Sequence, residues 1–154
     1  MMKAALTTAI LLAALAGLSA GQDKPSPDAV LTPEFLAGVF DGDRTNAGRA
    51  EKLSDAAADL KGDKKVKIAL FKKAVEYGLK GMATDKGRRT TLYAINQLSM
   101  LTDTDPNDNY DKIKRVELYR VWYGRYARGL HVKRSIRGHY IDALVDAAKM
   151  YEQT

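Results

Sequence analysis

The chain has 154 residues, with 25 Lys and Arg against 19 Asp and Glu for a formal net charge of +6, 45 % hydrophobic residues and no cysteine. At this length about two-thirds of the unfolded surface can be buried in one domain, so a core forms without a metal or a cross-link. The lack of cysteine excludes a disulfide framework, thiolate zinc sites, iron–sulfur clusters and a cysteine nucleophile.

Met1-Met2-Lys3 makes a short positive start, Ala4 to Leu18 is an uncharged run rich in Ala and Leu, and Ser19-Ala20-Gly21 precedes the polar Gln22-Asp23-Lys24. This layout predicts a secretory signal peptide over 1–20, cut after Ala20 or Gly21. The run is shorter and less apolar than the roughly 20 residues that a membrane span requires. The expectation is therefore an exported protein, secreted or periplasmic, with no integral span once the leader is removed. Residues 21–32 read as a flexible entry segment carrying Pro25 and Pro27, and 33–154 as a single all-helical domain.

Thr32-Pro33-Glu34 supplies a cap, a proline at the first helical position and an acid in the first turn, which predicts a helix through Phe40 ended by Asp41-Gly42-Asp43. A second helix is expected from Asn46 to Lys61, where Ala50, Leu53, Ala56, Ala57 and Leu60 recur at helical steps before Gly62. Asp63 caps a third, running to Lys80, and a fourth spans Gly87 to Leu101 with Leu92, Ile95, Leu98 and Leu101 on one side. A fifth is expected from Asn109 to Arg128, closed by Gly129. The sixth, His131 to Glu152, aligns Val132, Ile136, Tyr140, Ala143, Leu144, Ala147 and Tyr151 in one broad stripe. No segment alternates with a two-residue period, so no β-sheet is expected.

The third helix sets the architecture. At about 100° per residue, Val66, Leu70, Ala74 and Tyr77 fall on one arc and Ile68, Phe71, Val75 and Leu79 on the opposite one. A helix with two apolar faces needs cover on both sides, as an inner helix of stacked antiparallel hairpins has. Residues 63–72 and 111–120 also echo each other at an offset of 48: Asp63/Asp111, Lys64/Lys112 and Leu70/Leu118 are identical, and Phe71/Tyr119 and Lys72/Arg120 are similar. The echo has two readings, true repetition or the generic composition of amphipathic helices. The fold expected is all-α, with antiparallel helical hairpins stacked as a short α-solenoid or an irregular bundle.

Ala50-Glu51-Lys52-Leu53, Ala57, the Lys61-Gly62-Asp63 turn, and Leu70 followed by Lys73-Ala74 and Gly78 resemble the hairpins of secreted bacterial tetratricopeptide-like (TPR-like) proteins, over residues 50–101. The 48-residue offset departs from that family's period of about 34 residues. The resemblance implies a scaffold that binds partners, without catalytic residues.

Residue chemistry points away from an enzyme. His131 and His139 are eight apart, about 12 Å along a helix, too far to share an ion. His139 and Asp142 are at surface-pair spacing, and no serine-hydrolase elbow, phosphate-binding loop or zinc-protease motif occurs. No cofactor is implied. Asp103, Asp105, Asn107, Asn109 and Asp111 take the alternating positions of a calcium loop, but Asp108 stands where glycine makes the turn and Lys114 where a bidentate glutamate belongs. The segment reads as a turn that caps the fifth helix.

The unusual stretch is 110–140. Nine lysines and arginines there meet only Asp111 and Glu117, a net +7, interleaved with Tyr110, Tyr119, Trp122, Tyr123, Tyr126 and Tyr140. Arg120, Arg125, Arg128, Lys133, Arg134 and Arg137 are the candidate anion-binding residues, and Trp122 and Tyr126 the candidate stacking rings. Tyr119, Trp122, Tyr123 and Tyr126 equally have the i, i+3, i+4, i+7 spacing of a packing stripe. The functional expectation is an exported helical binding module for a protein partner. The alternative is a binder of an anionic polymer, cell-envelope polysaccharide or nucleic acid, through 110–140.

Overall fold

The computed structural model describes residues 30–102 and 108–152. The leader over 1–20, the entry segment up to residue 29, and Asp103, Asp105 and Asn107 of the acidic loop lie outside the described residues. Among the described residues there are six α-helices and no strand: α1 (Pro33–Phe40), α2 (Asn46–Asp59), α3 (Lys64–Lys80), α4 (Asp85–Thr102), α5 (Tyr110–Val121) and α6 (Leu130–Glu152), with one π-helical turn, Trp122–Tyr126, after α5.

Local chemistry sets most of the boundaries. Thr32 Oγ1 accepts from the Phe35 amide at 3.2 Å and starts α1, which ends where Asp41 turns left-handed at φ 44°. Thr45 Oγ1 caps α2 through the Gly48 amide, and Asp43 in turn accepts from the Thr45 amide and hydroxyl, both at 2.8 Å. Those bonds hold the Asp43 carboxyl below its ordinary pKa. Asp63 starts α3 by accepting from the Lys65 and Val66 amides. Helix α4 begins two residues earlier than its periodicity predicts, because Thr84 Oγ1 accepts from the Gly87 amide and Asp85 adds an acid to the first turn. Helix α2 stops two residues short of Lys61, since Leu60 turns extended and its side chain is buried.

Neighbours in sequence are neighbours in space. Helices α1 to α6 pack pairwise in chain order, and α2 also touches α4, so that α2, α3 and α4 form a mutually packed triad. Both faces of α3 are covered as expected: Val66, Leu70 and Ala74 on one arc and Phe71 and Val75 on the other are all buried. Helix α3 packs against both α2 and α4, burying Leu53, Ala57, Ala94, Ile95 and Leu98 with it. Full burial of a large aliphatic or aromatic side chain stabilises the fold by about 1.5–3 kcal/mol. The triad is therefore the energetic centre of the molecule.

Two close approaches lock it. A Cβ added at Gly78 would strike Thr91 Oγ1 and come within 3.3 Å of the Thr91 backbone, so α3 and α4 cross at a point where only glycine fits. Gly81 lies against the Ala47 backbone at the start of α2 in the same way. At the open end of the triad, the Tyr110 hydroxyl donates to the Lys72 carbonyl at 3.2 Å, while the Lys72 ammonium lies 5.1 Å from the Tyr110 ring centroid and pairs with Asp108 at 2.8 Å. Asp108 also accepts from the Tyr110 amide at 3.3 Å and so satisfies the first amide of α5, although Asn109 at the N-cap position makes no side-chain cap bond.

The repeat echo holds in the core and fails at the caps. Leu70 and Leu118 are both fully buried, as are Phe71 and Tyr119 nearly so. Asp63, however, precedes its helix as a cap, whereas Asp111 lies inside α5 and is buried.

Gly78→Ala is expected to destabilise the protein by about 1–3 kcal/mol through overpacking, read as a lower melting temperature. Gly124→Ala, with open space around it, serves as the control and should shift stability by no more than about 1 kcal/mol. Burial pushes the Tyr110 hydroxyl up to about 12, with Glu76, Glu117 and Asp108 adding to it. Because the folded state holds this proton more tightly than the unfolded one, its contribution is complete below pH 10 and lost between pH 10 and about 12. In an ultraviolet titration of the native protein Tyr110 should ionise late, near pH 12, and Tyr110→Phe should remove that phase.

Candidate binding surface

The segment singled out by charge, 110–140, is built in three parts: α5, the π turn, and the first half of α6. The fifth helix does not continue to Arg128 as its periodicity predicts. After Val121 the ladder widens, and the Ala127 amide donates to the Trp122 carbonyl five residues back at 2.7 Å. Ala127 then leaves in an extended conformation, and Gly129, at φ 80°, reverses the chain into α6.

At this turn the aromatic stripe meets an arginine from another helix. Arg88 of α4 places its guanidinium 5.6 Å from the Trp122 ring centroid and 5.7 Å from that of Tyr126, and donates from Nη1 to the Met82 carbonyl at 2.8 Å. Its side chain is only 15 % exposed, and its Nε is buried with no hydrogen-bond partner among the described residues. Ring faces rather than acceptors cover that part of the guanidinium. Trp122 also stacks on Tyr119, whose other neighbour is the His139 ring, at centroid distances of 6.2 and 5.6 Å. Tyr119 is buried, Trp122 and Tyr126 are half-buried at the seam between the main core and a smaller one formed with Ala127, Ile136 and Ala143, and Tyr123 stands at the surface. Burial raises the pKa of the Tyr119 hydroxyl.

Arg88 had no signal in the sequence. It adjoins Arg89, a residue of the same type; both reach the Asp85 carboxylate, at 3.5 and 2.9 Å, but Arg89 is 75 % exposed, and only the fold separates the two.

The six cations stand differently. Arg120, Arg125, Arg128, Lys133, Arg134 and Arg137 are all exposed, and none makes a hydrogen bond, ion pair or ring contact among the described residues. Cations of the first four helices are widely engaged: Lys86 with Glu51, Lys72 with Asp108, Lys73 with Glu76, and Arg49 with the Asp43 carbonyl. The candidate anion-binding residues thus occupy one corner, around the end of α5 and the start of α6. Of the candidate rings, the fold brings Trp122 and Tyr126 to Arg88.

Helix α6 is attached along a narrow line. Ile136, Ala143 and Met150, seven residues apart, are buried, with Tyr140 and Ala147 partly so. Val132, Leu144 and Tyr151, placed on the same stripe by their spacing, are instead exposed. Roughly 150° around the axis from the buried line, Ile141, Leu144, Val145 and Ala148 form a second apolar strip; the first three are 48 %, 43 % and 48 % exposed.

Other chemistry is sparse. No group of three metal-ligating side chains occurs among the described residues, and His139 forms no ion pair with Asp142 there. A groove of about 550 Å³ between α1, α3 and the start of α5 is lined by Leu31, Leu36, Ile68 and Tyr110 with Lys65, Lys72, Lys73 and Glu76 around it. Among the described residues no helix is long and apolar enough to cross a membrane. No family model, no curated protein and no solved structure matches the chain. Function is therefore argued from geometry.

Arg88→Ala is expected to cost about 2–4 kcal/mol, from the lost charged hydrogen bond and two ring contacts. Arg88→Lys should recover only part of this, since a compact ammonium does not span both rings. Trp122 is the chain's single tryptophan, so its fluorescence, shifted toward that of a solvated indole in both variants, is the direct readout.

Proposed function

We propose that the chain is an exported helical-hairpin module that binds a protein partner through the basic corner of α5 and α6 and the outer face of α6. What carries this reading is the exposure of Arg120, Arg125, Arg128, Lys133, Arg134 and Arg137 without an ion-pair partner among the described residues, beside an uncovered apolar strip. Cations around apolar side chains suit an acidic, amphipathic protein surface, for which burial supplies affinity and charge supplies orientation and encounter rate. The mutually packed α2, α3 and α4 correspond to one hairpin followed by the first helix of the next, which supports the TPR-like scaffold reading. Export rests on the leader-like start of the sequence.

A second reading, binding of an anionic polymer, is favoured by the same six cations. It is the weaker one because Trp122 and Tyr126 are half-buried and each already has the Arg88 guanidinium against its ring, which leaves less ring surface for bases or sugars to stack on. The two separate in one experiment. A tagged protein is used to recover partners from the exported fraction and is also run on heparin and DNA columns across a salt gradient. The expected result is an acidic protein recovered by the wild type and lost with Arg120/Arg125/Arg128→Glu, with little column retention at physiological salt. Strong, steeply salt-dependent retention that the triple variant abolishes, with no protein recovered, overturns the first reading in favour of the second.

A further inference from the structure

Helix α6 resembles α3 in having two apolar arcs, and it differs in having only one of them covered. The outer strip is Ile141, Leu144, Val145 and Ala148. Toward the start of the helix the same side carries Arg134, Arg137 and Gly138; toward its end it carries Glu152. Around Gly138 nothing lies within 4 Å of where a Cβ would stand, so the strip has a shallow notch next to its apolar centre. The helix is also divided in charge: Lys133, Arg134 and Arg137 lie in the first half, and Asp142, Asp146 and Glu152 outweigh Lys149 in the second.

Such a helix is complementary to itself when reversed. We propose that α6 packs antiparallel against the α6 of a second copy of this chain, about a two-fold axis near residue 143, to form a homodimer. The proposal rests on the reading of the outer face as a protein-binding surface and names its partner.

The register follows from the residues. A two-fold axis lying in the interface and perpendicular to both helices keeps residues of one flank on that flank, and it pairs positions whose numbers sum to a constant. Placing the axis near residue 143 sets Arg134 opposite Glu152 of the other copy, twice. Both residues lie at about the same angle around the helix, so both pairs fall on one side of the interface. The same register sets Ile141 against Val145 and Leu144 close to its own equivalent, while Gly138 and Ala148, on either flank of the strip, are small enough to let the backbones approach. A parallel pair would instead oppose the basic halves to each other. Antiparallel packing is thus selected by charge, and the apolar strip supplies the attraction.

The size of the contact sets the expected strength. A helix of this length spans about 35 Å, and one helix pair buries less than the roughly 800 Å² per partner of a stable complex. A dissociation constant of about 1–100 μM is expected.

Sedimentation equilibrium of the purified protein tests this across that range. The expected result is a concentration-dependent monomer–dimer equilibrium that Ile141→Glu/Val145→Glu shifts by about a hundredfold or more toward monomer. Its circular dichroism and melting should be those of the isolated monomer, because both side chains are exposed there. Arg134→Glu should weaken the dimer about tenfold, and Arg134→Glu/Glu152→Arg should restore it to within about threefold. Because the chain has no cysteine, Leu144→Cys should oxidise to a covalent dimer, as should Arg134→Cys/Glu152→Cys, whereas Arg134→Cys alone should not. A protein that stays monomeric to about 1 mM overturns the proposal, as does a dimer unaffected by Ile141→Glu/Val145→Glu or a cross-link through Arg134→Cys alone. A strict monomer that still recovers an acidic partner through the basic corner overturns self-association and leaves the binding-module reading intact. A dimer that forms as expected but recovers no partner upholds self-association while removing the heterotypic part of that reading.

Discussion

A helix that must hide two faces needs a neighbour on each, and α3 is that helix. Its apolar residues occupy opposite arcs, so α2 and α4 are both required before it is dry, and Gly78 lets α4 approach closely enough to cover it. From this one constraint the order of packing follows: α1 closes over the open side of α2 with Phe35 and Val39, and α5 adds Leu118 to the edge of the same core. The caps at Thr32, Thr45, Asp63 and Thr84 are secondary to it. They decide where helices start, each at a cost of about 1 kcal/mol if lost, while the double burial decides which helices touch.

The far end of the molecule is organised by a different interaction. Arg88 reaches from α4 to Trp122 and Tyr126, and a guanidinium between two half-buried rings joins the main core to the small cluster under α6. The π turn lies in the same place, since it spans Trp122–Tyr126, the two rings that share this cation. Beyond that seam α6 is held by a thin line of Ile136, Ala143 and Met150. The triad thus holds most of the buried core, and the surface with unspent chemistry is the terminal pair.

Charge follows the same division. In the first four helices many lysines and arginines are tied to carboxylates, carbonyls or rings, and exposed pairs of this kind each contribute little. At the α5–α6 corner the cations have no such partner among the described residues, and their mutual repulsion is a small standing cost to the fold. A corner that is tolerated at a cost, next to an uncovered apolar strip, is the pattern of a surface completed by something outside the monomer.

The all-α class, the six helices and the two-faced nature of α3 were legible in the sequence because they depend on local periodicity and on caps a few residues apart. So was the excess charge of 110–140, a property of composition. Several things were not legible. The end of α5 at Val121 was hidden because a π turn keeps apolar spacing nearly helical. The role of Arg88 was hidden because a cation–ring contact between helices leaves no mark on either helix alone. The narrowness of the α6 attachment was hidden because Leu144 and Val132 satisfy the same periodicity as Ile136 and Ala143, and burial depends on how far the neighbouring helix extends. The sequence by itself therefore determined which segments are helical, which faces are apolar and where the charge lies. Only the tertiary structure decided which apolar faces are covered, because cover is supplied by residues distant in the chain, and among the described residues α6 has such cover on one side alone.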